Sequence, residues 1–236
     1  MKSNISKFKN NLSVIVLCGG KGQRLRPLTQ KTPKPLIKIG KKTILEHIIN
    51  HFIRFNLKNI VVVTGYKHNL IKNFVFQKYK NKNIKVYNTG VQTNILNRIK
   101  KILKITNKYV LLCYGDTLVD VNINKLIKFY SNNKNKVIIT SYQLKSDFGI
   151  LNIDKNNNIV QFKEKPILDI WFNIGYFLFS NKYFQLIKGF DRFENFLTYV
   201  VNKKKMKTFK HKGEHITVNT ISQLEDAKVQ IKKFFK

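Results

Sequence analysis

The sequence is poor in acid. Only 12 of its 236 residues are Asp or Glu, against 45 Lys and Arg, for a formal charge of +33. Such an excess gives a chain general affinity for polyphosphates and nucleic acids. The lysines are nevertheless scattered through every segment rather than gathered in a stripe, and no nucleic-acid-binding motif can be read. Heavy use of Lys, Asn and Ile together fits compositional bias, so no specific nucleic-acid partner is expected. Cysteine is scarce too: Cys18 and Cys113 each end an apolar run, with no C-x-x-C and no metal spacing. That excludes a disulfide framework and reads as two small buried hydrophobes in a reducing compartment. No apolar run approaches the ~20 residues of a membrane helix, and the basic start MKSNISKFKNN is not followed by a signal-peptide core. The expectation is a cytoplasmic protein without a membrane partner. Residues 1–12 read as a flexible basic tail and 13–236 as one domain.

What is present is concentrated between Ser13 and Gly40. Val14–Leu17 and Cys18 have the composition of a buried parallel strand. Gly19-Gly20-Lys21-Gly22 follows, where missing side chains let successive backbone N–H groups face one anion. Arg24, Arg26 and Lys34 add cations suited to phosphate oxygens. Pro33 and Pro35 bracket Lys34 and predict a stiff extended arm. The loop is neither a Walker A motif nor a dinucleotide fingerprint, for it lacks the G-K-[ST] ending and the third glycine. A plain glycine turn would leave the arginines and the P-K-P unexplained.

Apolar runs then alternate with helical patterns, which predicts a parallel α/β sheet. Thr43-x-x-Glu46 reads as a capping box opening a helix to about Phe55, with His47 and His51 expected at the surface. Strands are predicted at 60–64, 84–87, 109–114 and 137–143, with helices at 69–77, from Ile95, and at 123–130. Gly115-Asp116 ends a buried strand, and an acid there lies where open α/β sheets bind ligands. A metal ligand and a loop cap both remain open for Asp116 from the residues alone, and Asp120 is open between outer-shell support and capping. From Asp147 the pattern becomes a β-hairpin turning at Asn156–Asn158. Ser222-x-x-Glu225 reads as a second capping box before the last helix.

The ordered pattern G-G-x-G-x-R-L-x-P-L-T, then P-K-P-L, resembles the signature of the sugar-1-phosphate nucleotidylyltransferases. Asn88-Thr89-Gly90, Tyr114-Gly115-Asp116 and Asp147–Leu151 are most similar to its glucose-1-phosphate cytidylyltransferases. The resemblance implies a Rossmann-like, mostly parallel sheet flanked by helices, with a small hairpin or mixed sheet covering the sugar side. It implies transfer of a nucleotidyl group from an NTP, CTP favoured, to a sugar 1-phosphate, with Mg²⁺ as cofactor and a homo-oligomer among the possible states. It implies nucleotide contacts at Leu17, Gly19, Gly20, Gly22, Thr89, Gly90, Thr93 and Tyr114. Arg24, Lys34 and Asp116 would act in catalysis, and Gly149, Glu164, Lys165 and Asn173 would take the sugar phosphate. Asp116 and Asn219 would hold the metal. Asn219 departs from the family, which has Asp there, and an amide oxygen is a weaker ligand for a hard cation. Another NTP, a non-sugar acceptor such as a phosphocholine-like molecule, and a catalytically weakened nucleotide-binding module stay open as alternatives.

Overall fold

The computed structural model describes residues 2–232 and 234. It begins with α1 (Lys2–Asn10) where a loose tail was expected. Phe8 stacks on Tyr109 with centroids 4.0 Å apart and meets Tyr130 edge-on, so aromatic contacts fasten the segment to the body. The chain continues through β1 (Leu12–Cys18), α2 (Leu28–Lys31), β2 (Lys38–Ile39), β3 (Lys42–Thr43), α3 (Ile44–Arg54), β4 (Asn59–Thr64) and α4 (His68–Lys78). Next come β5 (Ile84–Asn88), α5 (Ile95–Ile102), β6 (Tyr109–Tyr114), β7 (Thr117–Val119), α6 (Ile123–Asn132) and β8 (Val137–Lys145). The remainder is β9 (Ile150–Ile153), β10 (Ile159–Lys163), β11 (Ile167–Ser180), α7 (Asn181–Leu186), α8 (Phe193–Asn202), β12 (Met206–Lys210), β13 (His215–Thr217) and α9 (Ile221–Gln230).

Seven strands form the central sheet in the order β12-β8-β11-β6-β1-β4-β5, and only β11 runs antiparallel to its neighbours. Alternation along the strands sends side chains to two helical layers. Val14, Val16 and Cys18 of β1 join the layer of α3, α6 and α9, while Ile15 joins that of α5 and α8. The chain leaves β1 for β4 and β5 on one side and returns to β6 on the other. That reversal opens a crevice outside the carboxyl ends of β1 and β6, the place where such sheets hold ligands.

Local chemistry sets the helix starts. Thr43 Oγ1 accepts from Glu46 N at 3.1 Å, as the capping box predicts. Asn122, not Asp120, caps α6 by accepting from Lys125 N. The last helix is capped by Thr220 accepting from Gln223 N, so Ser222 lies inside it rather than before it. The expectation of surface histidines on α3 is corrected. His47 and His51 are each 5% exposed, because this helix is covered on both sides. His47 Nε2 meets Ile39 O at 2.9 Å and His51 Nε2 meets Val121 O at 3.1 Å. Burial lowers His51 to about 4.

Candidate active site

The glycine loop leaves β1 directly into the crevice. Gly22 sits at φ +64, a left-handed conformation that L side chains rarely adopt. Its carbonyl accepts from Thr29 Oγ1 at 2.9 Å, which locks the loop onto α2. Gly19 has a different reason: a Cβ there would run into the guanidinium of Arg98.

Lys34 is not held on an extended arm. It opens a short 3₁₀ turn, Lys34–Leu36, and Pro33 supplies the extended residue before it. The turn points its ammonium inward, with the residue only 9% exposed. Lys34 Nζ donates to Asp116 Oδ2 at 2.6 Å and to Asn219 Oδ1 at 3.0 Å. Arg24 Nη2 donates to the same Asn219 oxygen at 3.1 Å. Burial pushes the Lys34 ammonium below the ordinary lysine range, against the pull of Asp116. Three elements distant in sequence thus converge on one polar knot: the P-K-P turn, the end of β6 and the loop after β13. Asn219 Nδ2 donates to Thr217 Oγ1 at 3.0 Å, which fixes the amide orientation.

The crevice has two lobes that share Leu17, Gly20 and Asp116. The smaller, about 290 Å³, is lined by the glycine loop, Arg24, Lys34, Asp116 and Asn219. The larger, about 580 Å³, is lined by Gly19, Thr93, Arg98 and Tyr114, and by Arg192 and Glu194 at the start of α8. Thr89 and Gly90 stand behind its wall and shape it. Thr93 Oγ1 donates to Thr89 O at 2.6 Å, Thr89 Oγ1 donates to Thr64 O at 2.7 Å, and Gly90 N donates to Asn88 Oδ1.

Arg98 joins the two walls. Its Nη1 donates to Thr64 O, Thr89 Oγ1 and Gly90 O, and its Nη2 to Gly19 O and Val91 O, all between 2.7 and 3.3 Å. The side chain is 5% exposed, and among the described residues no carboxylate forms an ion pair with it. One guanidinium therefore ties the glycine loop to the loop after β5 and leaves a positive charge uncompensated in the wall. The sequence pattern gave Arg98 no role; the one signal that could have found it is a cation flanked by the buried Leu96 and Ile99 of α5. Arg192 and Glu194 had no sequence signal.

The expected sugar-side residues are less gathered. Asn173 Oδ1 accepts from Gly175 N at 2.7 Å, and its side chain lies near enough to Tyr114, a residue of the larger lobe, to oppose the upward push of burial on that phenol. Gly149, Glu164 and Lys165 lie on the hairpin and its exit, outside the lining of both lobes. Gly149 packs closely against Phe162, and Lys165 has φ +44. Asp120 serves a neighbouring junction, with Oδ1 accepting from Glu214 N at 2.8 Å and 2.9 Å from His211 Nε2.

A nucleotidyl transferase family model matches residues 13–221. The chain belongs to that family. It is 30% identical over 211 residues to a bifunctional protein GlmU of Methanocaldococcus jannaschii, covering 86% of this chain and 50% of that protein. The chain thus spans about half the length of that curated relative. It is 28% identical over 239 residues to a Bacillus subtilis protein named as a probable glucose-1-phosphate cytidylyltransferase, covering 90% of this chain and 93% of the relative. The fold is that of a Bacillus anthracis crystal structure assigned as a glucose-1-phosphate thymidylyltransferase. The two superpose with TM-score 0.74 over 92% of this chain and 94% of the other, at 18% identity.

Proposed function

We propose that the chain transfers a nucleotidyl group from an NTP, with CTP preferred, to a sugar 1-phosphate, releasing pyrophosphate. The observation that carries this is the convergence of Lys34, Asp116, Asn219 and Arg24 at the carboxyl ends of β1 and β6, beside a glycine loop. Relatives named as cytidylyltransferases support the choice of base.

In the reaction, an oxygen of the sugar phosphate forms a bond to the α-phosphorus of the NTP. The α–β bridging oxygen leaves with pyrophosphate, and no covalent intermediate on the protein is needed. Catalysis is then positioning and charge stabilisation. Backbone N–H groups of the glycine loop would cradle the triphosphate. Lys34 would neutralise charge at the α-phosphate and Arg24 charge on the departing pyrophosphate. The buried charge of Arg98 adds attraction from the opposite wall. Gly149, Glu164, Lys165 and Asn173 are the proposed sugar-phosphate side, Lys165 meeting the acceptor phosphate.

The residues present fit Mg²⁺ in the form in which it arrives with a nucleotide. Asp116 and Asn219 offer hard oxygens joined through one ammonium, while no cluster of three or more His, Cys, Asp or Glu exists among the described residues. Mg²⁺ is ordinarily held by one or two carboxylates, with phosphate and water completing its shell. Asp116 and Asn219 would hold it, and when bound it would supply charge neutralisation at the phosphates. The test is pyrophosphate release with four NTPs against a panel of sugar 1-phosphates. Turnover with CTP and one sugar phosphate is expected. Preference for another NTP would overturn the base, and turnover with phosphoamines alone would overturn the acceptor class.

A further inference from the structure

Lysines that are scattered along the sequence are gathered by the fold at one end of the sheet. β1, β4, β5, β6, β8 and β12 all begin at the end away from the crevice, and the antiparallel β11 finishes there. Seven segments therefore meet along this rim: residues 7–11, 55–58, 79–83, 103–108, 132–136, 180–182 and 202–205. They contain thirteen lysines, eleven asparagines and no acid. Acids sit at the opposite end, where Asp116 and Glu194 line the crevice and residues 145–170, on and around the β9–β10 hairpin, hold four more. Neighbouring segments of the rim are tied together. Val137 N donates to Lys205 O at 2.8 Å, Asn181 N to Lys108 O at 2.8 Å, and Tyr109 N to Asn11 O at 3.0 Å. Eleven of the thirteen lysines are exposed, and among the described residues none of them forms an ion pair. Like charges on neighbouring strands oppose each other, so this row is uncompensated until an anion covers it.

Shape and side-chain chemistry select the anion. Six interstrand spacings of about 4.8 Å make the rim ~29 Å long, and the strands hold it ~20 Å from the crevice. The twist of the sheet makes it a curved row rather than a plane. A surface that lies on lipid inserts Trp, Phe or Leu, but no large apolar side chain is exposed in any of the seven segments. Single strands stack their bases on aromatic rings, and here Phe8, Phe55 and Tyr79 are buried or half-buried. What the rim does expose, ammonium groups and amides, donates to phosphate and sugar oxygens. A duplex offers one phosphate charge per about 1.7 Å of its axis, a continuous line over the whole rim. We infer that this rim holds the phosphate backbone of a double-stranded nucleic acid, without sequence preference and apart from the crevice.

Fluorescence anisotropy with a labelled DNA duplex of about 20 base pairs, between about 50 and 200 mM NaCl, tests this. Contact with about seven phosphates gives an expected slope near −6 for log affinity against log salt. A second duplex of unrelated sequence should bind within about twofold. Two rim variants, Lys203→Gln/Lys204→Gln/Lys205→Gln and Lys58→Gln/Lys80→Gln/Lys82→Gln, should each lose at least tenfold in affinity and flatten the slope by about 2 to 3. Removing the same charge beside and on the hairpin, with Lys145→Gln/Lys155→Gln/Lys163→Gln, should cost no more than about threefold. Thermal melting of each variant separates lost binding from lost folding. A parent that leaves the duplex free at about 0.1 M NaCl overturns the inference. So does an equal loss in the hairpin control, which would make the attraction a property of net charge alone. Tighter binding of a single strand of the same length also overturns it, as does rim-dependent binding of phosphatidylserine vesicles by a protein that ignores the duplex.

Discussion

At the scale of single residues, the centre of the molecule is one ammonium shared by two oxygens. Lys34 Nζ bridges Asp116 and Asn219, so removing charge from Asp116 acts on the cleft rather than on packing. Asp116→Asn should abolish pyrophosphate release while thermal melting stays close to the parent; retained turnover would remove Asp116 from the catalytic set. Asn219→Asp restores the charge that the family pattern has beside Asp116. It also gives up the amide donated to Thr217. A residual gain of ~1.4 kcal/mol would lower the Mg²⁺ concentration for half-maximal activity about tenfold. An unchanged midpoint in a Mg²⁺ titration would place Asn219 outside the metal site. Arg98→Ala would orphan five acceptors around a buried position. A loss of about 3 kcal/mol is expected, or roughly 6–12 °C in melting temperature. Arg98→Lys keeps the charge but not the planar fork, so it should recover part of the stability while the KM for NTP stays raised. Equal KM values for Arg98→Lys and the parent would show that the link between the two loops is dispensable. Much of this site was legible in sequence, because G-G-x-G and P-K-P are local patterns with local causes. Arg98 was not, since its role depends on carbonyls of Gly19 and Thr64 that only the folded sheet brings near it.

Among the elements, α3 shows how a helix can mislead. Its two histidines look like a polar edge in the sequence, yet β2 and β3 on one side and β7 on the other cover both. Near β13, His215 is enclosed by Tyr142 and Phe172, with centroids at 5.1 and 5.4 Å, and burial lowers it to about 4. His51 is lowered to the same value. Both hold fewer protons folded than unfolded between about 4 and the ordinary value of 6.5. Their stability contribution is therefore complete above pH 6.5 and is lost as pH falls toward 4, by about 3 kcal/mol each at most. Melting temperature should fall over that window, and His215→Phe should flatten the fall; an identical slope in the variant would exclude His215. Sequence periodicity found the central strands because their apolar runs are continuous. It missed β11, a 14-residue strand whose exposed first half and buried second half obey no single period. It also read α1 as tail, because the contact of Phe8 with Tyr109 spans a hundred residues of chain.

For the molecule as a whole, the dominant quantity is its +33 charge. Self-repulsion on this scale opposes compactness, and salt weakens it: the screening length drops from about 10 Å at 0.1 M to 3 Å at 1 M. Raising salt over that range should raise the melting temperature and also raise the KM for NTP, because the same field attracts the tetra-anion. A KM unaffected by salt would mean that capture depends on short-range contacts in the cleft alone. The two thiols report on this body from inside. Cys113 is wholly buried and Cys18 lies in the lining of the smaller lobe at 3% exposure, and burial pushes both far above the ordinary thiol range. Neither presents a thiolate to an aqueous reagent while the sheet is closed. Alkylation of Cys113, which lies outside the lining of both lobes, therefore has to wait until β1 and β6 part, and its rate becomes a clock for the rarest opening of the strands on which the glycine loop is mounted.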